Sequence, residues 1–138
     1  MKTRFLRLAS ACALVITLVS SSPAFAQAKD NYAYIGVEPE IVTNYIGASA
    51  RKLGYIRVTI ELMINNVDQL EIAEHHMPLL RATAIEILGA QTGDKVKSLT
   101  GREEIRRAIL TALQTLMKEE TGSEVVKDVI FTKYLYQS

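Results

Sequence analysis

The chain has 138 residues, 16 Lys and Arg against 15 Asp and Glu, a net charge of +1, one cysteine and no tryptophan. Its charges are interspersed with no basic stripe, which argues against nucleic acid or an anionic membrane surface as a partner. With its first 26 residues set aside, on the order of 110 remain, enough for one domain with one hydrophobic core.

Residues 1–26 have the pattern of a secretory signal. Lys2, Arg4 and Arg7 form a basic start, Leu8 to Val19 an apolar run, and Ala24-Phe25-Ala26 a small-residue cleavage site preceded by Pro23. The competing reading is an uncleaved membrane anchor. A spanning helix needs about 20 apolar residues, and the run is shorter than that, so length favours cleavage with Gln27 at the mature N-terminus. Cleavage would remove Cys12, leaving no thiol for a disulfide or a metal, and would make the mature chain slightly acidic.

From Tyr32 the sequence turns strand-like. Tyr34, Ile35, Val37, Ile41 and Val42 favour extended backbone, while Gly36 and Pro39 interrupt it, which predicts two short edge pieces. Gly47 to Gly54 is expected to be a turn or hairpin connection. Ile56, Val58, Ile60, Leu62 and Ile64 then alternate with Arg57, Thr59, Glu61 and Met63, the period-two signature of a strand with one buried face. Asn65-Asn66 supplies turn chemistry after it.

Asp68, with Glu71 three residues on, is expected to cap a helix whose apolar face is Leu70, Ala73, Met77, Leu80, Ala84 and Ile87. Pro78 lies inside that stripe and has no N–H to donate, which predicts a kink or a true start near His75. Thr92 to Ser98 reads as a short polar helix or turn. Thr100-Gly101-Arg102-Glu103 fits a capping box, and Ile105, Ile109, Ala112 and Leu116 predict the buried stripe of the next helix, with Arg102, Arg106, Gln114 and Lys118 turned away. Gly122 lies just past its end. Val125 to Tyr136 is the last strand, with apolar residues on both faces. Strands, two principal helices and a strand make an α+β domain: a small, mainly antiparallel sheet covered on one face by the helices.

Candidate chemistry is sparse. His75-His76 are adjacent and so point about 100° apart on a helix, and a zinc site needs a third ligand that the sequence does not offer at a recognised spacing. No nucleophile elbow, triad or phosphate-cradling glycine pattern is present. The reading is therefore no catalytic residue, no cofactor and no metal. Arg102, Arg106 and Arg107 form a local basic cluster, either a protein interface or a solvated face offset by Glu103 and Glu104. Tyr134 and Tyr136 either pack the sheet or meet a partner.

Three stretches, in order and spacing, resemble the FliL family of flagellar basal-body proteins. They are Val37-Glu38-Pro39-Glu40-Ile41-Val42-Thr43-Asn44, then Met77-Pro78-Leu79-Leu80-Arg81 leading to Ile85-Glu86-Ile87-Leu88 and to Leu99-Thr100-Gly101-Arg102-Glu103-Glu104-Ile105-Arg106, and finally Val129 to Gln137. The resemblance implies a periplasmic domain akin to the stomatin-prohibitin fold, associated with the flagellar basal body at the inner membrane. It implies a homo-oligomeric ring around the stator units that supports torque, swimming or swarming, with no cofactor and no reaction. Typical members carry a full transmembrane helix and a linker, whereas this chain has a signal-like start and almost no linker. That departure predicts a soluble paralogue, residues 27–138, linked to the membrane only through partners. Subunits of a ring meet through unlike patches, for which Pro78, Arg102, Arg106, Arg107, Tyr134 and Tyr136 are the candidates. A reading of another class is a periplasmic small-ligand module using the groove between helices and sheet.

Overall fold

The computed structural model describes residues 30–49 and 52–137. The signal-like segment, its cleavage site after Ala26 and Cys12 lie outside the described residues.

The expected alternating strand is β3, Lys52–Ile64, and every even position from Ile56 to Ile64 is buried. The other strands all pair with it, antiparallel. β1, Ala33–Gly36, lies opposite Glu61 to Ile64, and β2, Ile41–Ser49, opposite residues further back along β3. β4, Val126–Gln137, pairs with β3 from Tyr55 to Ile64 and so occupies its other side. β1 and β2 are therefore successive pieces of one interrupted edge, with Pro39 in the break. The Val37 N–H bridges the gap by donating to the Ile60 carbonyl at 2.9 Å.

The two edge pieces match the expectation, but β2 is longer than expected. Gly47 belongs to β2 and Gly54 to β3, so both strands extend into the stretch expected to connect them. A close approach explains Gly54. The buried Tyr45 ring crosses β3 there and its hydroxyl donates to the Gln137 carbonyl at 3.3 Å on β4; a Cβ at Gly54 would sit 2.0 Å from Tyr45 Cζ.

After β3, Asn66 caps the chain entry. Its Oδ1 accepts from the Asp68 N–H at 3.1 Å, so the capping role expected of Asp68 falls two residues earlier. A 3-10 turn, Val67–Gln69, leads into α1, Leu70–His75. α1 stops at His76, and α2 runs over Met77–Gly89 with Pro78 in its first turn. A proline there forfeits nothing, because first-turn N–H groups have no partner in the helix. The break expected at Pro78 is present. The buried row of α2 is Leu80, Ala84 and Leu88, with Ile87 only partly covered.

α3, Gly93–Lys97, buries Val96. α4, Leu99–Thr121, is capped by Ser98 and not by Thr100: Ser98 is extended and its Oγ accepts from the Gly101 N–H at 3.0 Å. Thr100 is already inside the first turn. The buried row of α4 is Gly101, Ile105, Ile109, Leu113 and Met117. The expected stripe departs from it at Ala112 and Leu116, which sit at its flank, because the row advances strictly by four residues and drifts around the helix. Gly122 ends α4 at φ 83°, a left-handed conformation that glycine adopts without strain.

α2 and α4 pack against each other and against one face of the sheet. Ile41, Tyr45, Val58, Leu62 and Val129 from the strands meet Leu80, Leu88, Ile109 and Leu113 from the helices in a core whose buried residues, among those described, are all non-polar. The fold is α+β, a small antiparallel sheet with helices on one side.

Candidate functional site

The basic cluster of α4 lies beside β4, and its arginines differ in what they touch. Arg106 holds a fork on Glu103, with Nε to Oε2 at 2.8 Å and Nη2 to Oε1 at 2.7 Å, while its other nitrogen donates to the Asp128 carboxylate and to the Val129 carbonyl. Its side chain is only 23% exposed. Arg107 Nε donates to the same Glu103 at 2.8 Å from an exposed position. Two guanidinium hydrogen bonds hold the Glu103 carboxyl well below its ordinary range, at about 2, and the Glu103 carboxylate raises the Arg106 value in turn. Arg102 lies over the Tyr134 ring at 5.0 Å from its centroid.

Tyr134 is half buried. Its hydroxyl donates to the Val96 carbonyl at 3.0 Å, its ring tilts against Phe131, and burial pushes the phenol up to about 12. Tyr136 follows on the same face of β4 and is 48% exposed. The structure thus brings Arg102, Arg106 and Tyr134 together along β4, with Arg107 next to Arg106 on α4 but exposed, and Tyr136 toward the strand end. Pro78 stands apart. One turn after it, Arg81 donates to the Pro39 and Glu40 carbonyls at 3.2 and 3.5 Å, on the opposite edge of the sheet.

Arg102, Arg106 and Gln114 are not turned away as expected. Gln114 Nε2 donates to the Val126 carbonyl at 2.9 Å, so all three lie along β4; Lys118 is exposed. Helical periodicity marks the face opposite the core, but α4 runs beside the sheet edge, and its flanking side chains find that edge within reach.

Sequence reasoning missed the sheet face that the helices leave uncovered. Val42, Arg57 and Leu135 form one cross-strand row on it, and Asn44, Tyr55 and Gln137 the next. Val42, Tyr55 and Leu135 are each more than half exposed and line a shallow groove of about 440 Å³. Glu40 anchors the neighbouring row. Lys133 Nζ lies 3.0 Å from it, Thr59 Oγ1 donates to it at 3.2 Å and Arg57 lies 3.5 Å away; the Lys133 contact leads in lowering the Glu40 carboxyl below its ordinary value. The odd positions of the β3 alternation were the available signal.

His75 and His76 sit edge to face, ring centroids 5.1 Å apart, and His76 Nδ1 lies 2.8 Å from the Ile72 carbonyl. His75 lines an open groove with Asp68, Glu71 and Glu74. Among the described residues no three His, Cys, Asp or Glu side chains are grouped so as to hold a metal ion, and no helix is long and apolar enough to cross a membrane. Core side chains fill the interior between helices and sheet, and where the alternative expectation placed a small-ligand groove, a shallow one of about 280 Å³ runs between α4 and β4, lined by Arg102, Glu103, Arg106, Asp128 and Phe131 among others.

The family model for the flagellar basal body-associated protein FliL matches residues 34–137, from the second residue of β1 to the last of β4. The chain belongs to the FliL family. The flagellar protein FliL of Aquifex aeolicus (strain VF5) is 27% identical over 101 residues, which make up 73% of this chain and 59% of that protein. The chain therefore spans less than two thirds of the length of this FliL relative. Every strand and helix described above falls within the FliL match or begins one residue before it, so the family's unit and this folded unit coincide.

Proposed function

We propose that this chain is a non-catalytic scaffold of the flagellar motor, which assembles with copies of itself and supports the stator units from the periplasmic side of the inner membrane. The observation that carries the reading is the FliL match across the whole described fold. A non-polar core, with no buried side-chain nitrogen or oxygen left unpartnered among the described residues, suits a body that works through its exterior. In this reading residues 1–26 direct export and residues 27–138 form the working domain, which meets the membrane only through its partners.

Of the candidate contacts, Pro78, Arg107 and Tyr136 are exposed and suit meetings between subunits. Arg102, Arg106 and Tyr134 shape that surface from within by fixing β4 to α4. Reversing Arg107 to Glu is expected to lower the oligomer mass seen by light scattering; unchanged assembly and unchanged swimming remove that position from the contact.

The flagellar role is tested by deleting the gene and tracking single cells, with a tagged copy located by fluorescence. Slower or absent swimming and swarming, with tagged foci at flagellar bases, are expected. Normal movement with a dispersed tag would refute the role. Determining the N-terminal residue of the protein in a periplasmic extract tests export: Gln27 supports it, and retention of Met1 refutes it.

A further inference from the structure

α4 lies along β4 and sends three side chains to it. Gln114 donates to the Val126 carbonyl at 2.9 Å and Arg106 to the Val129 carbonyl at 3.2 Å, so each closes one backbone group of the strand. Arg102, one turn before Arg106, closes none: its guanidinium rests over the Tyr134 ring at 5.0 Å from the centroid. Lys97, which follows the Val96 carbonyl that the Tyr134 hydroxyl reaches, is exposed. Among the described residues neither cation is paired with a carboxylate. The carboxylates that line the shallow groove with Arg102, those of Glu103 and Asp128, are already held by Arg106 and Arg107.

The strand beside these two cations has an open edge. The Ile60 carbonyl accepts from Val37, so even positions of β3 direct their backbone groups away from β4. Tyr134 and Tyr136, paired with Val58 and Ile56, therefore direct their N–H and C=O groups outward. Among the described residues nothing bonds those groups. On β2, Val42 and Asn44 leave a similar stretch, but its surroundings differ. The arginine beside it, Arg81, has its donors on the Pro39 and Glu40 carbonyls, and α2 comes close enough that a Cβ on Gly89 would lie 3.7 Å from the Asn44 carbonyl oxygen. Of the two open stretches, the one on β4 is the one that couples free backbone groups to unpaired positive charge.

We propose that β4 from Lys133 to Gln137 takes an added strand from an acidic, extended segment of a partner protein. The backbone groups of Tyr134 and Tyr136 bond that strand, and its side chains alternate between the two faces of the sheet. Those on the helix side carry the carboxylates that meet Arg102 and Lys97. Those on the open side are apolar and lie beside Leu135, which is 55% exposed. A second copy does not supply such a strand from its own sheet edges, because β1, β2 and the stretch from Lys133 to Gln137 contain no Asp or Glu. Strand addition uses the edge and leaves both faces, so Pro78, Arg107 and the Tyr136 side chain remain available for contacts between the subunits of a ring.

This rests on the reading of the chain as a scaffold that works through its exterior, and it names the class of segment that scaffold takes. The test uses the full chain and a short, capped, fluorescein-labelled peptide of alternating Glu and Val, with binding read by fluorescence anisotropy. The wild type is expected to bind it saturably and to leave a peptide of alternating Lys and Val unbound. Arg102→Ala, with far-UV circular dichroism unchanged, is expected to weaken binding about tenfold, the loss of one charge-assisted hydrogen bond. Tyr136→Pro removes an outward N–H without touching the ladder to β3 and is expected to abolish binding, whereas Tyr136→Ala keeps that N–H and most of the affinity. No binding by the wild type, equal binding of the two peptides, an unaffected Arg102→Ala protein, or equal affinities of the Pro and Ala variants would each overturn the proposal. A peptide that fails to bind while gene deletion still impairs swimming removes this site and leaves the motor reading; a peptide that binds while deletion leaves swimming normal does the reverse.

Discussion

Replacing Gly54 with Ala is the smallest perturbation that tests how this sheet is held. The new Cβ would lie 2.0 Å from Tyr45 Cζ, 2.3 Å from Cε2 and 2.5 Å from the hydroxyl, so the buried ring has to leave its place. Overpacking of this kind costs about 1–3 kcal/mol. Losing the Tyr45–Gln137 hydrogen bond adds about 1 kcal/mol. Alanine recovers about 0.5–1 kcal/mol relative to glycine in a strand. The clash wins, and the net loss is about 1–3.5 kcal/mol. In a domain of about 100 residues each kcal/mol shifts the melting temperature by about 4–8 °C, so calorimetry should find a fall of about 4–28 °C. Tyr45→Ala should be destabilising alone, and the double variant should lose less than the sum of the two, because the ring that objects to the methyl is gone. A Gly54→Ala protein that melts at or above the wild-type temperature would refute the packing of Tyr45 across β3.

Three further outcomes are expected. Ser98→Ala should cost about 1 kcal/mol in urea unfolding through loss of the α4 cap, whereas Thr100→Ala should stay within about 0.5 kcal/mol; the reverse order would restore Thr100 as the cap. The Glu103 carboxyl sits at about 2 in the fold against an ordinary 4.5, so its stabilisation is complete above pH 4.5 and disappears as the pH falls toward 2. Glu103→Gln should flatten the acid limb of the stability curve in that window, and an unchanged slope would deny the two-arginine clamp. Tyr134 is pushed up to about 12 from 10, so the fold keeps its phenol neutral, and that preference is complete below pH 10 and lost as the pH rises toward 12. Tyr134→Phe should be less stable at neutral pH by about 1 kcal/mol, for the Val96 hydrogen bond, yet should lack the alkaline decline; retention of that decline would place its origin elsewhere.

The period-two run from Ile56 to Ile64 gave β3 and its buried face directly, because a strand with one covered side writes its burial into alternate residues. The break near Pro78 was equally legible, since it follows from a missing donor. The cap of α4 was not. Ser98 and Thr100 can each precede a helix, and the choice falls to Ser98 because Leu99 already enters the helix and because Arg106 and Arg107 draw Glu103 away from any capping role. The Tyr45–Gly54 contact depends on which strands become neighbours, information that no local window holds. The candidate surface was half legible for the same reason. Arginines at helical spacing suggest an exposed face, but Arg106 reaches β4 only because the helix happens to run beside an edge. The apolar residues of the open face, Val42, Tyr55 and Leu135, belong to three different strands and become a patch only once the register aligns them.

β3 is the partner in every ladder of this sheet; β1, β2 and β4 pair with it and not with one another. Such wiring provides no fallback. A sheet built as a chain of hairpins can shed an outer pair and keep the rest, but here the loss of one central segment orphans all the others at once. Its amides should therefore exchange with solvent only through global opening, and pulling on any edge should load the same strand. A body connected in this way transmits force as a single rigid piece, with no inner seam along which to yield.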